Sequence, residues 1–242
     1  NPTVMTFRKN GSLSMRKLVH EKGGKVIFDK GYGLADLETG AAIDGNTFFN
    51  IASMSKQFTA VAIMQLAEQG LLSVTDPVTK YCPEFTDPIW EGIEIRHLLA
   101  HSSGIPDARG NYSREEKVQA TDELALAYMD TLSFVNFAPG EEYEYMNPTF
   151  VLLGEIVSRV SGQEFGEYMH DHVFVPAGME QTLYYVPGQE ENIPNMAHGY
   201  DLNSETGEWT EDDFGESTFF ATRPDGGIYP SNHAFVKWEP AL

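Results

Sequence analysis

The sequence has very little cysteine, with Cys82 the only one in 242 residues. A single cysteine excludes a disulfide within the chain, and no metal-ligand spacing surrounds Cys82, so we interpret it as a structural residue. No run of residues resembles a transmembrane helix or a signal peptide. Because the first residue is Asn1 rather than methionine, we expect that an upstream segment was removed or not included, and the compartment stays open.

Basic residues are also scarce. Lysine and arginine number 16 against 36 aspartates and glutamates, which gives a formal net charge of -20. This balance argues against a nucleic acid or an anionic membrane as a partner. It does not restrict the substrate, because a site can be locally positive on a negative protein.

One stretch, residues 48–70, is more apolar than the rest of the chain. Nearly every position from Gln57 to Ala67 is hydrophobic, a pattern typical of a helix buried in a domain core. The stretch is too short to cross a bilayer. Gly70 follows it and predicts a left-handed residue just past the end of the helix.

Two polar side chains, Ser53 and Lys56, stand at the front of this helix. Residues three apart lie on one face of a helix, so the hydroxyl and the amine can meet. Burial disfavours the charged form of an amine, and a serine beside a base is a potential nucleophile. The alternative is that Ser53 caps the helix and Lys56 extends to solvent.

Tyr145 and Asn147 directly precede a second apolar helix, whose first residue is predicted to be Pro148. In an extended turn, side chains two apart point the same way. A phenol placed beside Lys56 could share the removal of the Ser53 proton. The alternative is an aromatic turn residue followed by an asparagine helix cap.

Histidine offers one further candidate site. His97 and His101 are four residues apart in a predicted short helix, a spacing that suits zinc. No third ligand stands at a recognisable spacing from them. We therefore predict no metal site and no cofactor.

The order of elements predicts an α+β fold, with helices inserted between strands of one antiparallel sheet. Two hairpins are predicted first, in residues 3–15 with a turn at Asn10-Gly11 and in residues 17–30 with a turn at Gly23-Gly24. No repeat or linker divides the chain. We expect a single domain, with a sheet part at about 1–50 and 180–242 and a helical part at about 51–180.

Five separated stretches resemble the serine β-lactamase-like superfamily. Their order is similar to its class C branch, which includes class C β-lactamases, D-Ala-D-Ala peptidases of the penicillin-binding type and family VIII carboxylesterases. The stretches are 49–60, 71–78, 95–105, 145–147 and 226–229. The resemblance implies a β-lactamase/transpeptidase-like fold and hydrolysis of an ester, amide or β-lactam, in a small molecule or a peptide, through an acyl-enzyme. It slightly favours an extracytoplasmic location.

The same resemblance assigns roles to individual residues. It implies that Ser53 is the acylated nucleophile, in the S-x-x-K motif, that Lys56 is its partner and that Tyr145 is the second acid/base group. It places Asn147 in contact with the substrate, and Gly227 and Tyr229 on a loop that leads towards the active site. His97 and His101 then become scaffold residues.

One family feature is not found in the sequence. Relatives continue into further strands, one of which carries a Lys-Thr-Gly or His-x-Gly motif, and no credible equivalent precedes Leu242. An oxyanion donor on that strand is worth about a hundred- to a thousand-fold in rate. We therefore expect a fragment, or a segment such as residues 3–15 lying where those strands would lie.

The alternatives to an active hydrolase are an impaired binding protein and an assembly protein that self-associates through an open sheet edge.

Overall fold

The computed structural model describes residues 3–4, 16–22, 25–107, 113, 116, 121–184, 193–211 and 222–241. The chain divides into two compact units. Unit 1 comprises Asn1–Ile51, Phe174–Thr218 and Ile228–Leu242, and unit 2 comprises Ala52–Val173 and Phe219–Gly227. Unit 1 holds the strands and unit 2 holds the longer helices. The expected single domain, with a helical part at about 51–180, stays a prediction.

A three-stranded antiparallel sheet forms the start of unit 1. It consists of β1 (Thr3–Val4), β2 (Arg16–Lys22) and β3 (Lys25–Tyr32), in the order β1-β2-β3. Lys22 pairs with Lys25, which confirms the predicted second hairpin. The predicted first hairpin, with its Asn10-Gly11 turn, lies outside the described residues except for Thr3–Val4, which pair with β2.

The rest of unit 1 is built from short strands. β4 (Leu183–Tyr184) pairs with β7 (Ile228–Tyr229), and β5 (Tyr200–Leu202) pairs with β6 (Trp209–Glu211). Phe48 forms bridges to Met196 and Ser231, so it joins three separate stretches of the chain. The sequence from Asn232 to Leu242 predicts one last helix. The structure has two short helices there instead, α7 (Asn232–Phe235) and α8 (Trp238–Ala241).

The central helix of unit 2 is α1 (Lys56–Glu68), which follows a 3-10 turn at Ala52–Ser55. Gly70 has a φ of 72°, as expected for a left-handed residue after a helix end. Residues Phe58, Ala62, Ile63 and Leu66 are almost fully buried, which confirms a core helix. Met64 is 48% exposed, so the helix is not buried on every side, although its sequence is apolar most of the way round.

The second core helix, α4 (Pro148–Ser161), packs against α1. Pro148 occupies its first turn, as predicted, and Gly162, with a φ of 74°, ends the helix. The shorter helices α2 (Ile95–Leu99), α3 (Asp122–Met129), α5 (Phe165–Met169) and α6 (Arg223–Gly226) also pack on α4. Within the described ranges, no helix combines the length and apolar character that a membrane crossing requires.

The capping-box pattern of Ser113 and Glu116 predicts a helix from Ser113 to Leu132, of which the structure describes only a part. Its predicted capping box is present, because Ser113 and Glu116 exchange backbone-to-side-chain hydrogen bonds of 2.7 and 3.2 Å. The helix α3 nevertheless begins separately, with the Thr121 hydroxyl accepting from the Leu124 N–H at 3.3 Å. A polar threonine that can cap explains why a new helix starts at that position.

Candidate active site

Ser53 lies on the 3-10 turn that leads into α1, with its side chain exposed. The preceding residue, Ala52, has a φ of 46°, a left-handed conformation that is uncommon for a residue with a Cβ. Such backbone strain persists only where the surrounding structure imposes it, and it is frequent at functional sites. The turn therefore presents the hydroxyl of Ser53 at a strained corner of the backbone.

Lys56 is buried, with only 7% of its surface exposed. Its Nζ donates to Asn147 Oδ1 at 2.6 Å, to the Asp225 carbonyl at 2.7 Å and to Ser53 Oγ at 3.2 Å. An ammonium has three donors, and here each has an acceptor, which offsets the cost of burying its charge. The alternative in which Lys56 extends to solvent is therefore wrong.

Tyr145 approaches Ser53 from the other side. Its Oη donates to Ser53 Oγ at 2.7 Å, and its ring centroid is 5.2 Å from Lys56 Nζ. The phenol is 44% exposed, so this side of the arrangement faces solvent. The hydroxyl, the amine and the phenol that the sequence singled out thus meet within hydrogen-bonding distance.

The alternative roles for Ser53 and Asn147 as helix caps are also not observed. Asn147 is the residue before α4, but its side chain makes no capping hydrogen bond. Its oxygen accepts from Lys56 instead. The residue before α1 is Ser55, also without a side-chain cap, whereas Ser53 contacts Lys56 and Tyr145.

The segment 222–227 holds Lys56 in place through a contact that the sequence did not reveal. Asp225 contributes a main-chain carbonyl to Lys56, and no residue type signals such a contact. The segment is held against α1 by the Thr59 hydroxyl, which donates to the Pro224 carbonyl at 2.7 Å. A Cβ on Gly227 would lie 2.8 Å from the Thr222 oxygen, so this tight turn needs a glycine.

Two acidic side chains anchor the same segment through Arg223. Asp122 accepts from the Arg223 backbone N–H at 3.0 Å and from Nε at 2.9 Å. The guanidinium also pairs with the Glu164 carboxylate. Burial raises the pKa of the Asp122 carboxyl to about 6, although the positive charge of Arg223 opposes this shift. The network ties α3 and α5 to the segment that holds Lys56.

The two histidines do not form a metal site. His97 Nδ1 accepts from the Glu94 N–H and His101 Nδ1 accepts from the Met146 N–H, both at 3.1 Å. In the described part of the chain, no group of three potential metal ligands comes together. Sequence reasoning treated both residues as scaffold, and it missed that His101 contacts the segment carrying Tyr145.

Gly227 and Tyr229, the other two predicted substrate-binding residues, belong to different units. Gly227 belongs to unit 2 with Ser53, and a Cβ on its neighbour Gly226 would lie 3.9 Å from the Ala52 carbonyl carbon. Tyr229 belongs to unit 1, where it is 2% exposed and pairs with Leu183. A contact of either residue with substrate stays a prediction.

Known proteins resemble this chain in sequence and in structure. Penicillin-binding protein 4* of Bacillus subtilis is 33% identical over 191 residues, which are 76% of this chain and 42% of that protein. The octameric penicillin-binding protein homologue of Pyrococcus abyssi has a TM-score of 0.80 at 30% identity, over 92% of this chain and 51% of that one. A penicillin-binding protein of Bacillus halodurans has a TM-score of 0.78 at 30% identity, over 92% and 67% of the two chains.

These relatives establish a β-lactamase/transpeptidase-like fold, as predicted, and support a serine hydrolase or penicillin-binding type of function in general. The chain spans less than half of the length of the Bacillus subtilis relative, 42%. A family model described as Beta-lactamase matches residues 19–241, which is nearly the whole chain. The protein therefore belongs to the beta-lactamase family.

Proposed function

We propose that this protein is a serine hydrolase that forms an acyl-enzyme on Ser53. One observation carries the proposal: Ser53 Oγ is exposed and lies 2.7 Å from Tyr145 Oη and 3.2 Å from Lys56 Nζ. A nucleophilic hydroxyl needs a group within hydrogen-bond reach to take its proton. Two such groups converge here.

In the ground state, Ser53 Oγ accepts hydrogen bonds from both neighbours. To act as a nucleophile, Ser53 must donate instead, to an unprotonated Lys56 amine or Tyr145 oxygen. The proposal is that these two groups share this proton. Ser53 Oγ then bonds to the carbonyl carbon, the bond to the leaving oxygen or nitrogen breaks, and the proton passes to the leaving group. A water molecule then bonds to the acyl carbon and gives a proton to the same pair of groups. The bond between that carbon and Ser53 Oγ breaks, the proton returns to Ser53, and the acid is released.

The start of α1 stabilises the negative charge that develops during this reaction. Backbone N–H groups in the first turn of a helix lack partners within the helix and carry partial positive charge. The Ser53 N–H, on the turn that precedes Lys56, is our proposed oxyanion donor. When Lys56 has accepted the Ser53 proton, its ammonium, held by Asn147 and the Asp225 carbonyl, adds a positive charge beside this donor.

The proposed substrates are esters, amides or β-lactams of a small molecule or a peptide. All three present a carbonyl that can form an ester with Ser53. The names of the relatives, which include penicillin-binding proteins, make penicillin an appropriate probe. Asn147, half-buried next to Lys56, is the proposed contact for a polar group of the substrate.

The test is covalent labelling with a fluorophosphonate and with penicillin, followed by intact mass and peptide mapping. We expect one adduct on Ser53, and no adduct in Ser53→Ala at an unchanged melting temperature. Ser55→Ala is the matched control, because Ser55 lies in the same turn but is fully buried. Absence of a Ser53 adduct with both reagents would refute the proposal. A lasting penicillin adduct without ester hydrolysis would favour an impaired penicillin-binding protein.

We also propose that the protein self-associates through the edge of its three-stranded sheet. Among the described strands, β3 has a partner on one side only. Val26, Ile27 and Phe28 on β3 are 45%, 57% and 44% exposed, an unusual concentration of apolar surface on an edge strand. The proposed occupant is β3 of a second copy, which agrees with the octameric state named for the Pyrococcus abyssi homologue.

Light scattering after size exclusion tests this assembly. Ile27→Lys places a charge on the edge and should reduce the mass to that of a monomer. Leu202→Lys is the control, because Leu202 is also exposed, at 42%, but lies on the β5–β6 pair. A wild-type protein that stays monomeric at high concentration would contradict the proposal.

A further inference from the structure

His101 lies against the segment that carries Tyr145. Its Nδ1 accepts from the Met146 N–H at 3.1 Å, and its carbonyl accepts from the Glu144 N–H at 2.9 Å. The residues on both sides of Tyr145 are therefore hydrogen-bonded to one histidine. This position is specialised, because His101 has a φ of 54°, in the left-handed region.

The imidazole ring also contacts the phenol directly. Its centroid is 4.6 Å from that of Tyr145 and 5.2 Å from that of Phe150, with both rings tilted by about 40°. Tyr143 meets it edge-on at 6.0 Å. Tyr145 is 44% exposed, and His101 is one of the side chains that contact its ring.

We propose that His101 is a positioning residue that keeps Tyr145 Oη against Ser53 only while its imidazole is neutral, so that acylation is lost in acid as His101 is protonated. The inference rests on the function proposed above and adds a pH control to the same site. His101 acts through Tyr145 and does not touch the reacting atoms.

The geometry requires a neutral ring because Nδ1 is a hydrogen-bond acceptor. A protonated Nδ1 would direct its hydrogen at the Met146 N–H, and the bond would be replaced by repulsion. The structure favours the neutral form, because burial first, and then the charge of Lys56, lower the pKa of His101.

Among the residues that the structure describes, the ionisable groups that face the ring are Lys56 from α1 and Tyr143 and Tyr145 from the segment that precedes α4. The acidic residue next to Tyr145 in the chain is Glu144. Its carboxylate accepts from Asn136 Nδ2 at 2.6 Å and is thus engaged away from the ring. Phe150, on α4, adds only an apolar face. A proton on His101 would therefore place a second, half-buried cation near Lys56.

Substitutions at His101 separate positioning from simple packing. Asparagine retains an acceptor at the place of Nδ1, tolerates a positive φ and does not titrate. Alanine removes the acceptor and the ring. His97→Asn is the matched control, since His97 Nδ1 accepts from the N–H of Glu94, the residue that precedes its own helix.

The first measurement is the single-turnover rate of Ser53 labelling by a fluorophosphonate between pH 4.5 and 8. We expect the wild-type rate to fall in acid with a midpoint below about 6.5, the ordinary value for histidine. His101→Asn should keep the rate at pH 7.5 within about tenfold and lose this acid limb. His101→Ala should be slower by about ten- to a hundred-fold at every pH, since small misplacements of catalytic groups cost that much. His97→Asn should follow the wild type.

A second measurement does not depend on activity. In NMR titrations, the Met146 amide and the Tyr145 ring resonances should shift with the same midpoint as the His101 imidazole. A wild type that forms no adduct refutes the hydrolase proposal, while this titration still tests the coupling. An acid limb that persists in His101→Asn, an unimpaired His101→Ala, or a Met146 amide insensitive to His101 would overturn the inference.

Discussion

Removing the phenolic oxygen of Tyr145 is the most direct test of the proposed chemistry. Tyr145→Phe deletes the hydroxyl that lies 2.7 Å from Ser53 Oγ. It keeps the ring, and so it keeps the packing on His101 at 4.6 Å. The variant therefore separates proton transfer from the shape of the site.

The magnitudes distinguish a catalytic from a structural role. A hydrogen bond contributes about 1 kcal/mol net to stability, and less at a site that is partly exposed. General acid–base catalysis is worth about a hundred- to ten-thousand-fold in rate, which corresponds to about 2.7–5.4 kcal/mol of activation free energy. We thus expect the labelling rate of Ser53 to fall at least about a hundred-fold while the free energy of unfolding changes by about 1 kcal/mol or less.

The assay is single-turnover labelling by a fluorophosphonate, followed by hydrolysis of a p-nitrophenyl ester, with urea unfolding measured in parallel. Tyr143→Phe is the control, because Tyr143 belongs to the same segment, is 69% exposed and also contacts the His101 ring. It should behave as the wild type. If Tyr145→Phe labels Ser53 within about threefold of the wild-type rate, the phenol takes no part in proton transfer and our reasoning is wrong.

Three further predictions concern stability and reactivity. Burial raises the pKa of the Cys82 thiol to about 12, so Ellman's reagent at pH 8 should leave the native protein unmodified and react with one thiol after denaturation. Gly154→Ala should lower the free energy of unfolding by about 1–3 kcal/mol in urea titrations, because its Cβ would lie 2.3 Å from Pro224 Cγ and this overpacking exceeds the gain of about 1 kcal/mol in helix propensity. The Asp122 pKa is about 6 when folded, above its value of about 3.9 when unfolded, so the folded state binds this proton more tightly. The resulting stabilisation should be present below pH 4, should decline as the pH rises through 6, and should be missing from Asp122→Asn in unfolding measurements across this range.

Sequence reasoning located the part of the site that depends on side-chain types at short spacing. Ser53 and Lys56 share a helix start, and that local geometry brings them within 3.2 Å. Tyr145 is 92 positions from Ser53, and it was identified only because a family resemblance joined two separate motifs. Local pattern alone favoured turn and cap roles for Tyr145 and Asn147, since nothing in a single segment shows which distant partner it meets.

Other features depend on tertiary packing that the sequence does not display. The exposure of Met64 depends on which neighbours cover α1, and the apolar composition of that helix gave no sign of it. The contact of His101 with Met146 joins residues 45 positions apart. Nothing in the sequence around His101 predicts such a contact. Its position beside the segment that carries Tyr145 is visible only in the structure.

One acceptor of the buried amine belongs to the main chain, at the Asp225 carbonyl. Mutational scanning exchanges side chains and leaves every carbonyl in place, so it cannot delete this contact and would understate its importance. Chemical synthesis can reach it: replacing the amide that joins Asp225 to Gly226 with an ester would leave a poorer acceptor with all side chains intact. The environment of the Lys56 amine can thus be changed at a main-chain atom that no amino-acid substitution removes.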